Sequence, residues 1–314
     1  MTWLITGGAG YIGSHIVLAF TAARKDVVVL DDLSSGYRAF VPKDVPFVEG
    51  GVGDPDAVRR ALTEHHVTGV VHLAGFKYAG ESVRRPLHTY EQNVEGMRVL
   101  LEGVAESGIE HFVFSSSSSC YGTPTVELVT EDYVVGRPES PYGESKLINE
   151  WMLADVAAAD PRFLYTALRY FNVVGSGAPQ LADHSPHNLF PRVLKALTGG
   201  DTPQIFGTDY DTPDGTCIRD YVHVADLADA HLVAATRLEQ GLPCQTIYNV
   251  GRGEGVSVRQ IMDAMAHATE IDFEPALGPR RPGDPSRIVG STERIAADFD
   301  WHARRDLDDM VLSA

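Results

Sequence analysis

Tyr142 and Lys146 are four residues apart in Tyr142-Gly143-Glu144-Ser145-Lys146, a spacing that sets a phenol and an ammonium one helical turn apart on one face. A free tyrosine has a pKa of about 10, so it accepts a proton near neutral pH only after roughly 4 kcal/mol of differential stabilisation of its phenolate. A neighbouring ammonium contributes to that. A hydroxyl facing the same substrate oxygen would complete an acid–base relay, and Ser115-Ser116-Ser117-Ser118-Ser119-Cys120-Tyr121-Gly122 offers five candidates. Alone, the pair reads as a surface contact and the serines as a polar turn.

A second constellation lies near the start of the chain. Gly8-Ala9-Gly10-Tyr11-Ile12-Gly13 fits G-x-G-x-x-G, and Gly7 adds the spacing Gly7, Gly10, Gly13. Such glycines turn the chain tightly, bring backbone N–H groups close to a pyrophosphate and seat a helix N-terminus against a sheet. With 30 glycines present the pattern needs its context, which is an apolar strand before it and a helical pattern after it. Asp31 ends the second apolar run near the roughly 20-residue distance expected of a ribose-binding acid. Its carboxylate would accept from the adenosine ribose hydroxyls and repel a phosphate placed there, which predicts NAD rather than NADP. Asp32 reads as a solvated acid at a strand end.

Short Val- and Ile-rich runs alternate with helical patterns through the first half of the chain, as in a parallel sheet with crossover helices. The pattern predicts strands at 3–6, 27–30, 47–49, 70–74, 111–115 and 164–169, and helices at 11–22, 56–65, 90–107 and 142–159. The fold class is α/β, a doubly wound parallel sheet of the Rossmann type. From Gly175 onward Pro, Gly, His and Asp predominate, which predicts a smaller, loop-rich α/β lobe with helices at 189–197, 225–238 and 258–269 and strands at 219–224 and 248–250. Residues 1–174 are read as the dinucleotide domain, with segments near 217–250 returning to it, and residues 175–314 as the substrate lobe. Ligands of open α/β sheets bind at the carboxyl ends of the strands. The serine run ends the fifth strand, and Tyr142 opens the helix after it.

Composition limits the partners. The 314 residues are 44% hydrophobic, enough for a full core, and carry a formal net charge of −17. That balance repels nucleic acid and anionic membranes. An anionic substrate must therefore be met by a few placed Arg or Lys and by backbone N–H groups. Cys120, Cys217 and Cys244 are far apart with no Cys-x-x-Cys pair, which argues against a disulfide framework or structural zinc and predicts a reducing cytoplasm. No apolar run approaches membrane-spanning length.

Taken in order, these motifs resemble the extended short-chain dehydrogenase/reductase family, in its UDP-sugar 4-epimerase branch. The resemblance runs nearly end to end. It is carried by the stretches from Thr6 to His15, Phe114 to Gly122 and Ser140 to Leu147, and by His72-Leu73-Ala74-Gly75-Phe76-Lys77 with Gly80-Glu81-Ser82. Leu168-Arg169-Tyr170-Phe171-Asn172, Ile205-Phe206-Gly207, Asp214-Gly215-Thr216, Arg219-Asp220-Tyr221-Val222-His223-Val224 and Arg280-Arg281-Pro282-Gly283-Asp284 continue it.

The resemblance implies Tyr142 as catalytic base, Lys146 as its partner and a nicotinamide-ribose ligand, and Ser117 as the hydroxyl beside the sugar. It implies that Tyr11, Ile12, Asp31, Lys77, Asn93 and Phe171 line NAD. Asn172, Asn188, Leu189, Phe206, Arg219, Arg281 and Asp284 would hold a UDP-sugar, the two arginines meeting its diphosphate. The implied reaction interconverts UDP-galactose and UDP-glucose through a 4-keto intermediate, in a homodimer joined through the helices at 90–107 and 142–159.

Three departures stand out. Gly51 replaces the acid that usually touches adenine, which predicts weaker NAD binding. Ile288 stands where the family gates N-acetylated sugars. The chain stops at Leu312-Ser313-Ala314, before the usual C-terminal helix would end. The rival readings are an epimerase acting on another UDP-sugar (N-acetylhexosamine, uronate or pentose), a nucleotide-sugar dehydratase, and a non-catalytic dinucleotide sensor. Ser118-Ser119 occupies the place where a dehydratase carries an acid pair.

Overall fold

The structure is a computed structural model that describes residues 1–281 and 284–314. Pro282 and Gly283, part of the last motif above, lie outside the described residues.

Seven parallel strands form the central sheet. They are β1 (Thr2–Thr6), β2 (Asp26–Asp31), β3 (Phe47–Glu49), β4 (Val67–His72), β5 (His111–Ser115), β6 (Leu164–Tyr170) and, after three short strands elsewhere, β10 (Ile247–Val250). Their order is β10-β6-β5-β4-β1-β2-β3, so the winding direction reverses beside β1, and a crevice opens there at the carboxyl ends. Buried on both faces, the strands are continuous apolar runs such as Trp3-Leu4-Ile5 and Val27-Val28-Val29-Leu30.

Helices cover both faces of the sheet. On one side α1 (Tyr11–Ala22) packs against α8 (Val224–Glu239), burying Ile16, Val17 and Phe20 beneath Trp3, each such side chain contributing about 1.5–3 kcal/mol. On the other side lie α2 (Pro55–Thr63), α5 (Gly96–Glu106) and α6 (Pro141–Ala159), over Leu4, Phe112 and Phe114. Both α2 and α6 start as their sequences dictate, with Pro55 or Pro141 in the first turn after a capping Asp54 or Ser140.

The second lobe contains β7 (Asn172–Val174), β8 (Gln204–Phe206), β9 (Ile218–His223), β11 (Gly255–Ser257), β12 (Ala276–Gly278), β13 (Arg287–Ile288), α7 (Leu189–Gly199) and α9 (Val258–Thr269). It has its own core around Phe190, Ile205, Tyr221 and Met265. The short helices α3 (Ala79–Arg84), α4 (Pro86–Tyr90), α10 (Glu293–Phe299) and α11 (Leu307–Leu312) complete the chain. Among the described residues no helix is long and apolar enough to cross a membrane.

Two predicted elements differ in form. The fourth strand ends at His72: beyond it Leu73 N–H is shared between the Thr6 carbonyl and Thr6 Oγ1, each at 3.2 Å, and Ala74 N–H turns to Thr6 Oγ1 at 3.3 Å, so Leu73 and Ala74, expected in the strand, lie past its end. The helix expected at 90–107 begins earlier and is irregular: three pieces follow one another from Pro86, namely α4, which reaches the expected span only at Tyr90, a π-helical turn over Glu91–Glu95, and α5. Pro86 starts the first piece, and Asn93 lies in the π turn with its side chain bound outside the helix.

Candidate active site

The glycine turn joins β1 to α1. Gly7 takes a φ of +72°, and a Cβ on Gly13 would stand 2.1 Å from the Gly7 carbonyl oxygen, so the turn closes only with these residues. No side chain caps α1, which leaves the N–H groups of its first turn available to an anion. At the end of β2, Asp31 is fixed from two sides, Ala9 N–H donating to Oδ2 at 2.9 Å and Leu33 N–H to Oδ1 at 2.8 Å. Each carboxylate oxygen keeps a lone pair for a further donor. Burial raises the Asp31 pKa, opposed by those two backbone donors and by Lys77.

A continuous cavity of about 910 Å³ runs from this turn across the carboxyl ends of the strands into the second lobe. Gly7, Gly10, Tyr11, Ile12, Gly13, Asp31, Lys77 and Phe171 line one part of it, Ser117, Tyr142 and Lys146 its middle, and Asn172, Asn188, Leu189, Phe206, Arg219, Arg281 and Asp284 the far part. Asn93 is the exception among the expected ligands, since it lies behind the wall. Its amide oxygen accepts from Phe76 N–H at 2.6 Å, and its NH₂ donates to Phe76 O at 3.0 Å and Ser145 Oγ at 2.9 Å. These bonds use its hydrogen-bonding groups and hold the segment that leads to Lys77. Asp32, read as merely solvated, is on the cavity wall with Ser34 bound to its Oδ1.

The serine run is sorted by its partners. Ser115 Oγ hydrogen-bonds His231 Nε2 at 2.7 Å, and Ser116 Oγ donates to Glu150 Oε1 at 2.5 Å. Ser117 accepts from Ser119 N–H at 3.1 Å and lines the cavity together with Tyr142. Lys146 donates to Ser115 O at 2.8 Å, its Nζ 5.8 Å from the centroid of the Tyr142 ring. Burial pushes the Tyr142 phenol up to about 12, the Ser117 hydrogen bond opposing, and pushes Lys146 down to about 8, with Cys120 and Glu150 opposing. The phenol thus starts above its ordinary value. Acting as a base near neutral pH needs roughly 7 kcal/mol of differential stabilisation in place of the 4 expected from sequence.

In the far part, Arg219 does not face the cavity as a free cation. Its Nη2 donates to Asp284 at 2.6 Å and its Nη1 to Ile218 O at 2.8 Å. Arg281 lies 4.2 Å above the centroid of the Phe206 ring, giving a flat aromatic face backed by a guanidinium. Ile288 packs with Phe171, Tyr121 and Val129.

Sequence reasoning missed Tyr78, Tyr170, Asp183, His187 and Tyr221, all on the cavity wall. Tyr78 and Tyr170 adjoin singled-out residues, a signal that was available. Asp183 and His187 belong to a loop with no local pattern, brought over the cleft by tertiary packing that sets the His187 and Tyr78 ring centroids 4.7 Å apart.

Residues 3–251 match the model of the NAD dependent epimerase/dehydratase family. The chain is 42% identical over 316 residues to the UDP-glucose 4-epimerase of Azospirillum brasilense, covering 99% of this chain and 90% of that protein. Among solved structures, the Stenotrophomonas maltophila UDP-glucose-4-epimerase with bound NAD and formylated UDP-arabinopyranose superimposes with a TM-score of 0.94 at 33% identity, covering 100% of this chain and 96% of that one. The Bifidobacterium longum UDP-glucose 4-epimerase in complex with NAD+ and UDP gives 0.92 at 35%, with the same coverage.

Proposed function

The chain belongs to the NAD dependent epimerase/dehydratase family, and on that premise we infer that it epimerises a UDP-hexose at the 4-position, interconverting UDP-galactose and UDP-glucose with NAD as cofactor. The carrying observation is one cavity that joins the uncapped helix N-terminus and Asp31 to Ser117, Tyr142 and Lys146, and these to Phe206, Arg219 and Arg281.

The residues suit the cofactor. The first turn of α1 offers N–H groups to a pyrophosphate, and Asp31 offers acceptors to a ribose. Lys77, Phe171 and Lys146 complete its wall. When bound, NAD supplies the hydride acceptor and donor that carries the sugar through a 4-keto form.

The chain's own residues move the proton and hold the substrate. Tyr142 takes the proton of the sugar 4-hydroxyl, and Ser117 shares the hydrogen bond to that oxygen. The Lys146 ammonium lowers the cost of the phenolate. Phe206 and Arg281 hold the uridine diphosphate, and Arg219, kept in place by Asp284, meets it from β9. Ser118 and Ser119 stand in the turn after β5, where loss of water would call for an acid pair.

We assign residues 1–174, with α8 and β10, to the cofactor domain and the rest to the substrate lobe. The three cysteines are unpaired, which suits a cytoplasmic enzyme. A homodimer would cover the exposed Trp151 of α6 with Val83 and Leu87 of the adjoining α3 and α4. A monomer mass at micromolar concentration would rule it out.

Conversion of UDP-galactose to UDP-glucose by the purified protein, with and without added NAD, tests the function. Product is expected at least in the sample with NAD. No product in either sample overturns the reading.

A further inference from the structure

Behind the serine turn lies a buried charged cluster that the reaction above does not use. Glu150 is one helical turn beyond Lys146 and two beyond Tyr142 on α6, so the three share one stripe, and all are buried. Arg169 of β6 meets Glu150 in a two-pronged pair, Nε donating to Oε1 at 2.9 Å and Nη2 to Oε2 at 2.5 Å, with both side chains 4% exposed. The guanidinium also lies over the Tyr121 ring, 4.7 Å from its centroid.

Such a pair is a poor device for stability, because desolvation commonly cancels the attraction and apolar side chains of the same volume would pack as well. Its placement points to another use. Ser116 Oγ donates to Glu150 Oε1 at 2.5 Å, while Lys146 Nζ donates to Ser115 O at 2.8 Å. The helix that carries Tyr142 therefore grips the two residues immediately before Ser117, one by its carbonyl and the other by its hydroxyl. With both held, the next side chain is directed into the cavity that Tyr142 also lines.

We propose that Glu150, anchored by Arg169 and acting through Ser116, is a positioning residue that sets the Ser117 hydroxyl and the Lys146 ammonium against Tyr142. The proposal rests on the functional reading of those three residues given above. It also has an electrostatic side. The titratable and charged groups around Lys146 are Tyr142 and Glu150 on its own helix, His72 of β4, Cys120 of the turn after β5, and Arg169 and Tyr170 of β6. Of these, Glu150 is the carboxylate, and it favours the ammonium against the pull of burial. Removing its charge leaves Arg169 unopposed, so Lys146 loses its proton at lower pH.

The experiment compares the unsubstituted protein with Glu150→Gln, Ser116→Ala and, as control, Tyr142→Phe. It measures kcat and KM for UDP-galactose across pH, with thermal melts to establish folding. Both Glu150→Gln and Ser116→Ala should lower kcat about tenfold or more while KM stays within about twofold, since the bound ground state is untouched and the relay is misaligned. In Glu150→Gln alone, the alkaline fall of kcat should move to lower pH.

If Glu150→Gln does not fold because Arg169 is left unpaired, Ser116→Ala, which keeps the ion pair, decides by itself. Full kcat in the folded variants beside a dead Tyr142→Phe overturns the positioning role alone. No turnover by the unsubstituted protein overturns the functional reading and the positioning role with it.

Discussion

The Lys146 ammonium donates to the carbonyl oxygen of Ser115 at 2.8 Å, fixing α6 to the end of β5 at the point where the serine turn begins. That bond keeps a buried cation beside a phenol that burial has pushed up to about 12. Burial holds Lys146 at about 8, so it is charged at neutral pH and discharges as pH rises past that value. The enzyme should therefore lose kcat on the alkaline side, with a midpoint near 8. A kcat profile that stays flat to about pH 10 would remove the Lys146 charge from the reaction.

Tyr142→Phe removes the proton acceptor and leaves the cavity wall in place. Turnover should fall about 10²- to 10⁴-fold, with NAD binding measured by calorimetry unchanged. Substantial residual turnover would mean that another group takes the proton.

Ser117 lowers the Tyr142 pKa through its hydrogen bond. Replacing it in Ser117→Ala should raise that pKa further and make the phenolate costlier, so kcat should fall about fivefold to tenfold, the worth of one hydrogen bond. An unchanged kcat in steady-state assays would show that the Ser117 hydroxyl contributes nothing to the proton transfer.

Gly51 lines the cavity, and a Cβ there would meet only Asp32 Oδ2 at 3.9 Å and Gly53 N at 4.0 Å. A side chain fits. Gly51→Asp should tighten NAD about fivefold to tenfold by restoring an acceptor, the worth of one hydrogen bond. Weaker binding on titration would show that repulsion from Asp32 outweighs it.

The motif Asp214-Gly215-Thr216 forms a clip in the second lobe, outside the site. Asp214 accepts from Thr216 N–H and Thr216 Oγ1, each at 2.8 Å, and from Ser257 Oγ at 2.5 Å, while Ser257 caps α9. Burial raises the Asp214 pKa, but these bonds outweigh it and the net shift is downward. A depressed carboxyl contributes stability above its unfolded pKa of about 3.9, and that contribution is lost as pH falls through the folded value. Asp214→Asn should lower the melting temperature at pH 7 more than at about pH 3, with kcat preserved. An equal loss at both values would show that the charge contributes nothing.

The sequence by itself determined the alternating elements, because strand and helix patterns are local. The predicted spans 11–22, 47–49, 111–115 and 258–269 coincide with α1, β3, β5 and α9. The glycine turn, Asp31 and the Tyr142–Lys146 face were legible for the same reason, since each is a spacing along one element or at its end. Five adjacent serines share one local propensity, and residues distant in the chain separate them: His231 takes Ser115, Glu150 takes Ser116, and Tyr142 faces Ser117. Tertiary structure likewise put Asn93 behind the wall and Asp32 on it, and it paired Arg219 with Asp284. Burial and long-range partners decide which polar group stays free for a ligand, and neither is a property of a residue's neighbours in sequence.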